Sequence, residues 1–72
     1  MIEIYGKPQC PFCVNAKKLC EVKGLKYTYY EYIEDFSREE LLEMFPNAKT
    51  FPQIKLDGVA IGGYKELHEQ VG

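Results

Sequence analysis

Two cysteines, only three positions apart, stand where a strand pattern passes into a helix pattern, and this junction restricts the fold more than any other feature. The segment is Cys10-Pro11-Phe12-Cys13. Before it, residues 2–5 alternate apolar and polar side chains, which is typical of a strand. A helix accepts proline at its first position, so Pro11 is predicted to begin a helix that Cys10 caps. The sequence therefore predicts a strand, a loop over residues 6–9, and a helix that begins beside both thiols.

This first helix is predicted to end near Lys23, because Gly24 is a typical C-terminal stop. Its apolar side chains recur at helical spacing and are predicted to share one buried face. They are Phe12, Cys13, Ala16, Leu19 and Cys20.

Further strand and helix patterns follow. A second strand is predicted over residues 27–33, where four of the six tyrosines indicate packing rather than a binding platform. Ser37 and Glu40 form a capping box that begins a second helix, which is predicted to end at Phe45. Residues 53–56 and 59–61 flank Asp57-Gly58, a favoured two-residue hairpin turn.

The last helix is predicted to follow Gly62-Gly63, with Tyr64, Leu67 and Val71 on its inner face. The element order is therefore βαβαββα. A first helix between parallel strands and a terminal hairpin predict a mixed four-stranded sheet flanked by three helices, an α/β fold. At 72 residues, the chain is expected to form one domain, residues 1–72.

Charge excludes one class of partner. The net charge is −2, so the basic excess usual for nucleic-acid binding is missing. Residues 1–30 carry a balance of +3 and residues 31–72 a balance of −5. The basic half either favours a small anionic substrate near the cysteines or is simply solvated helix surface.

Membrane association is not expected. No run of about 18 apolar residues is present, and the first residues lack the pattern of a signal peptide. We therefore expect a soluble protein in the reducing cytoplasm, where a close cysteine pair is more often catalytic or metal-binding than structural.

The position of the pair predicts redox chemistry. Unpaired N–H groups and the helix dipole stabilise an anion at a helix N-terminus, so Cys10 is expected to ionise more readily than a free thiol. Lys7 is predicted to add a positive charge nearby. Cys13, almost one turn further, is placed to attack a sulfur bonded to Cys10.

A close cysteine pair has two other interpretations. A zinc site would need Cys20 and His68 beside the pair, but this spacing is unusual for zinc. We expect Cys20 in the core, His68 on the surface, and no metal site. A cysteine–histidine hydrolase lacks a third group to orient the histidine.

Over essentially its whole length, the sequence resembles the glutaredoxin family. The matching motifs are C-P-F-C at residues 10–13, T-F-P-Q-I at residues 50–54 and the double glycine at residues 62–63. The stretch over residues 16–20 is also similar, with Cys20 at an apolar leucine position. The resemblance implies a thioredoxin fold with a cis peptide before Pro52, facing Cys10.

The resemblance also implies a glutathione site. The Phe51 backbone would pair with the cysteine of glutathione, Lys7 and Arg38 would contact its glycine carboxylate, and Glu66 would receive its γ-glutamyl end. The full set of residues implied for glutathione is Lys7, Phe12, Arg38, Thr50, Phe51, Pro52, Gly62, Gly63, Tyr64, Lys65 and Glu66.

Several positions depart from the family pattern. Phe12 stands for the commoner tyrosine, Phe51 for valine, and Lys65 for a small polar residue. The last helix is also expected to be shorter than in most relatives.

The function implied by the resemblance is thiol–disulfide exchange in a monomer, through Cys10 and Cys13, with glutathione as co-substrate and no tightly bound cofactor. Disulfide-bearing or glutathionylated proteins would be the clients, with ribonucleotide reductase as one candidate. Two alternatives stay open: reduction by thioredoxin reductase, and a dimer that binds an iron–sulfur cluster through Cys10 and glutathione. Pro11 counts against the cluster.

Overall fold

The computed structural model describes residues 1–71, and Gly72 of the predicted domain lies outside the described residues. Four strands and three helices alternate in the predicted order. They are β1 (Ile2–Gly6), α1 (Pro11–Val22), β2 (Tyr27–Glu31), α2 (Arg38–Met44), β3 (Gln53–Leu56), β4 (Val59–Gly62) and α3 (Tyr64–Val71).

The strands form one mixed sheet in the order β2-β1-β3-β4. β1 pairs in parallel with β2 and antiparallel with β3, and β3 pairs antiparallel with β4. Asp57 and Gly58 both have positive φ, 52° and 85°, as a two-residue hairpin turn of this kind requires. The predicted α/β fold, element order and hairpin are confirmed.

Local capping places α1 as predicted. Cys10 is the N-cap, Pro11 is the first helical residue, and Gly24 has a φ of 68° just past the C-terminal end. The prediction that Phe12 lies on the buried face was wrong, since its side chain is 58% exposed. Successive helical residues point about 100° apart, so the burial of Cys13 turns Phe12 outward.

One face of the sheet packs against α1 and α3 through an apolar core. Its buried residues are Ile2, Ile4, Ala16, Cys20, Ile54 and Leu67. Cys20 therefore lies in the core, as predicted, and His68 is exposed on α3. Tyr64 and Val71 are partly buried against the same core, which confirms the inner face of α3.

The opposite face carries a second core that is mostly aromatic and packs against α2. Tyr5, Phe36, Leu41 and Phe45 are buried there. The Tyr5 and Tyr30 rings stack with centroids 4.8 Å apart. This stacking confirms the predicted packing role for Tyr30 of β2.

The capping box predicted at the start of α2 is present. The Ser37 hydroxyl accepts a hydrogen bond from the Glu40 N–H at 3.1 Å, and the Glu40 carboxylate accepts one from the Ser37 N–H at 3.0 Å. These reciprocal bonds satisfy two N–H groups that a helix leaves unpaired.

The predicted extent of the second strand was wrong by two residues, because β2 ends at Glu31. The Asp35 N–H donates to the Glu31 carbonyl and the Asp35 carboxylate accepts from the Glu31 N–H, so the chain turns at this point. Ile33 follows with a φ of 77° and a 71% exposed side chain. An apolar residue at a turn resembles a strand residue in the sequence alone.

Among residues 1–71, no helix is both long and apolar enough to cross a membrane.

The burial of Leu67 predicts how strongly its truncation destabilises the protein. Leu67→Ala removes a fully buried side chain and should lower the free energy of unfolding by about 2–5 kcal/mol. The matched control is Leu42→Ala, since Leu42 is 37% exposed and should cost far less. Urea unfolding followed by circular dichroism measures both, and equal losses would contradict the core described here.

Candidate active site

Cys10 lies where β1 leads into α1, at the edge of the molecule where a groove opens. Its Sγ accepts a hydrogen bond from the Cys13 N–H at 3.3 Å, as an N-cap side chain does. The thiol also approaches the Phe51 carbonyl oxygen at 3.7 Å. Cys10 is only 6% exposed, so an incoming disulfide must reach its sulfur through the groove.

The segment that faces Cys10 precedes β3. The Phe51–Pro52 peptide bond is cis, as the resemblance implied. The Gln53 side chain donates a hydrogen bond to the Thr50 carbonyl at 2.7 Å, which ties this segment to its own strand. The Gln53 side chain is buried; the sequence placed it in the T-F-P-Q-I motif but did not predict this hydrogen bond.

Cys13 is almost completely shielded from solvent. Its side chain is 1% exposed. Burial, with a smaller contribution from the hydrogen bond to Cys10, raises the pKa of Cys13 to about 12. The Lys7 backbone N–H and the Tyr29 hydroxyl act in the opposite direction and lower that pKa. Cys13 is therefore held as a neutral thiol at physiological pH.

An open groove of about 280 Å³ lies next to Cys10. All of its lining residues belong to the set that the sequence implied for a ligand. They are Phe12, Thr50, Phe51, Pro52, Gly63, Tyr64, Lys65 and Glu66. The Phe12 and Tyr64 rings, with centroids 6.1 Å apart, bring the N-termini of α1 and α3 together at this groove.

Three residues of the implied set do not line this groove. Arg38 lines a neighbouring cavity of about 440 Å³, which shares Thr50 and Phe51 with the groove. The Lys7 ammonium lies 5.7 Å from the centroid of the Phe51 ring. Both cations therefore lie around the Phe51 end of the groove. Gly62 lines another cavity, which shares Thr50, Gly63 and Glu66 with the groove.

Gly62 acts on the groove through Glu66 instead. A Cβ at Gly62 would come within 2.7 Å of the Glu66 carboxylate oxygen, and the φ of Gly62 is 120°. The Glu66 Oε1 accepts a hydrogen bond from the Gly63 N–H at 2.7 Å. The double glycine thus allows Glu66 to fold back over the N-terminus of α3, with its charge at the groove.

The four candidate zinc ligands are not gathered. Cys20 is buried in the core and His68 is exposed beside the Tyr64 ring at 6.1 Å between centroids. Within residues 1–71, no group of three or more His, Cys, Asp or Glu side chains could hold a metal ion.

Known proteins resemble this chain in both sequence and structure. The glutaredoxin family model matches residues 2–61. A probable glutaredoxin of Synechocystis is 35% identical over 68 residues, which cover 93% of this chain and 62% of that protein. The chain therefore spans less than two thirds of the length of that relative.

Two solved structures extend the comparison. Reduced Escherichia coli glutaredoxin superposes with a TM-score of 0.81 at 33% identity, covering 97% of this chain and 91% of that one. A buckwheat glutaredoxin–glutathione complex gives a TM-score of 0.79 at 26% identity, covering 96% of this chain and 66% of that one. These neighbours share the thioredoxin fold implied by the sequence. The chain belongs to the glutaredoxin family.

Proposed function

We propose that this protein is a thiol–disulfide oxidoreductase that reduces protein disulfides and glutathione mixed disulfides, with glutathione as its reductant. The observation that carries the proposal is the placement of Cys10 Sγ at the N-terminus of α1, 3.7 Å from the Phe51 carbonyl at the head of the groove. Membership of the glutaredoxin family supports the same chemistry.

Cys10 performs the first step. Its thiolate attacks one sulfur of the client disulfide, a Cys10–client disulfide forms, and the other client sulfur leaves and takes up a proton. The Cys13 N–H points at Cys10 Sγ and holds this sulfur at the N-terminus of α1. An entering sulfur is expected to approach along the groove, since Cys10 is otherwise covered.

Cys13 performs the second step. Its sulfur attacks Cys10 Sγ, a Cys10–Cys13 disulfide forms, and the client leaves as a dithiol with the proton that Cys13 loses. Two glutathione molecules then restore the pair. The first forms a mixed disulfide with Cys10 and frees Cys13, and the second releases oxidised glutathione from Cys10.

The groove fits a small peptide that carries charges of both signs. The Phe51 backbone is available for strand-like pairing with the cysteine of glutathione, and Glu66 offers a negative charge to its amino group. Lys7 and Arg38, at the Phe51 end, suit its glycine carboxylate. The buckwheat neighbour was solved as a glutathione complex.

Family membership also supports a proposal for the domain, the oligomeric state, the compartment and the clients. Residues 1–72 act as one glutaredoxin domain, as a monomer, in the cytoplasm, where the dithiol is kept reduced. The clients are disulfide-bearing or glutathionylated proteins, ribonucleotide reductase among the candidates.

Serine substitutions separate the two cysteines. Cys10→Ser should abolish both disulfide reduction and deglutathionylation, because Cys10 is the thiol next to the Phe51 carbonyl, while Cys13 and Cys20 are almost completely buried. Cys13→Ser should lose disulfide reduction but retain deglutathionylation, since glutathione itself can release the mixed disulfide. Insulin reduction and a glutathionylated peptide assay measure the two activities.

The control is Cys20→Ala, another buried cysteine of α1 that lies in the core. It should retain both activities. A folded Cys13→Ser protein that loses deglutathionylation would contradict this division of roles.

The proposed role of the Glu66 carboxylate can be tested through the binding of glutathione. Glu66→Gln keeps an oxygen to accept from the Gly63 N–H but removes the charge, so the KM for glutathione should rise about three- to tenfold. The control is Glu69→Gln, which removes an equal charge from an exposed position of the same helix. Equal KM values in the two variants would show that Glu66 does not receive glutathione.

Coupled assays test the reductant. The protein should turn over with glutathione and glutathione reductase, with consumption of NADPH as the measured signal. Turnover with thioredoxin reductase alone would instead favour the alternative reductant. Visible absorbance of protein purified without oxygen would favour the iron–sulfur dimer.

A further inference from the structure

Gly6, the last residue of β1, leaves a space that two other side chains fill. It does not have the positive φ for which glycine is usually needed. A Cβ at this position would collide with the Tyr29 hydroxyl and would lie 2.9 Å from Cys13 Sγ. The missing side chain therefore lets the hydroxyl and the thiol meet over the end of β1.

The strand register brings Tyr29 to this place. Tyr29 pairs with Ile4 on β1, and side chains two positions apart lie on the same face of a strand. Gly6 is thus the next position on the face that carries Ile4, and it lies under the beginning of α1. The Tyr29 ring runs along this face, and its hydroxyl and Cys13 Sγ both border the space that a Gly6 Cβ would fill.

The Tyr29 ring also contacts the side chain of Lys17. The Lys17 ammonium lies 4.3 Å from the centroid of the Tyr29 ring, where a cation–π contact is favourable. Burial, with smaller contributions from Cys13, Glu31 and Cys10, raises the pKa of Tyr29 above its usual value. The hydroxyl therefore keeps its proton and is available as a donor.

We propose that Tyr29 is a positioning residue for the resolving step, in which its hydroxyl donates a hydrogen bond to Cys13 Sγ as that sulfur becomes an anion and attacks Cys10. This inference rests on the proposed function, because it assigns a role within its second step. No extra reactant is needed: one disulfide bond breaks, one forms, and the leaving client thiol gains the proton that Cys13 loses. The hydroxyl keeps its own proton throughout.

The size of the effect follows from two opposed consequences. A hydrogen bond to a charged group is worth about tenfold or more in the population of that charged form. A thiolate with a higher pKa is also more nucleophilic. The rate constant for its attack therefore rises by about the square root of the factor by which the thiolate population falls. Removal of the hydroxyl should therefore slow the attack of Cys13 about threefold at pH 7.

Tyr29→Phe tests the proposal, because it keeps the ring over Lys17 and removes only the hydroxyl. The probe is the chromogenic aromatic disulfide dithiobis-nitrobenzoate, in stopped flow without glutathione. Cys10 should release one coloured thiolate in a first burst, and Cys13 should release the second in a slower burst. Tyr29→Phe should slow only the second burst and displace its pH profile to higher pH.

The matched control is Tyr27→Phe. Tyr27 is on the same face of β2, but its hydroxyl donates to the Glu21 carboxylate at 2.7 Å, away from the pair. This variant should leave both bursts unchanged, and circular dichroism should show both variants folded.

Three results would overturn the proposal. An unchanged second burst in Tyr29→Phe would remove the role of the hydroxyl. Equal slowing of both bursts, or equal slowing in Tyr27→Phe, would indicate a general structural effect. A wild-type protein with a first burst and no second burst would contradict the proposed two-cysteine function itself, which distinguishes that failure from failure of the role of Tyr29.

Discussion

The packing of α1 beside α3 on one face of the sheet determines where the candidate chemistry lies. Ala16, Ile54 and Leu67, one from each of α1, β3 and α3, are buried together in one apolar core. This contact holds the N-termini of both helices and the beginning of β3 at the same end of the sheet. The groove is the surface that these three chain segments leave between them.

Two cysteines one helical turn apart acquire different environments from this packing. Cys10 caps α1 and meets the groove and the Phe51 carbonyl, whereas Cys13 points back toward the sheet over Gly6. Cys10 is reached through the groove, whereas burial raises the pKa of the Cys13 thiol. The proposed division between an attacking and a resolving cysteine follows from this difference in position.

The aromatic core on the other face of the sheet supports the groove indirectly. Phe51 packs against it, with its ring centroid 5.3 Å from that of Tyr32 and 6.4 Å from that of Phe36. The wall that faces Cys10 is therefore anchored in packed side chains rather than in a free loop. The larger ring at position 51, which departs from the family pattern, joins the groove to this second core.

The sequence alone determined the elements and their order, because alternation, helical spacing, capping residues and turn residues act over a few neighbouring positions. The Cys10 N-cap, the Ser37 capping box and the Asp57-Gly58 turn are all of this local kind. Motif resemblance also identified every residue that lines the groove. Local patterns failed where a neighbour decides burial, as at Phe12 and Ile33.

Only the tertiary structure decided which distant side chains meet. The approach of the Tyr29 hydroxyl to Cys13 Sγ depends on the register of β2 on β1, on the docking of α1 and on the absence of a side chain at Gly6. The tyrosine-rich strand by itself predicts only a packing role for Tyr29. No short-range pattern specifies such a contact, because its geometry arises when three separate elements pack together.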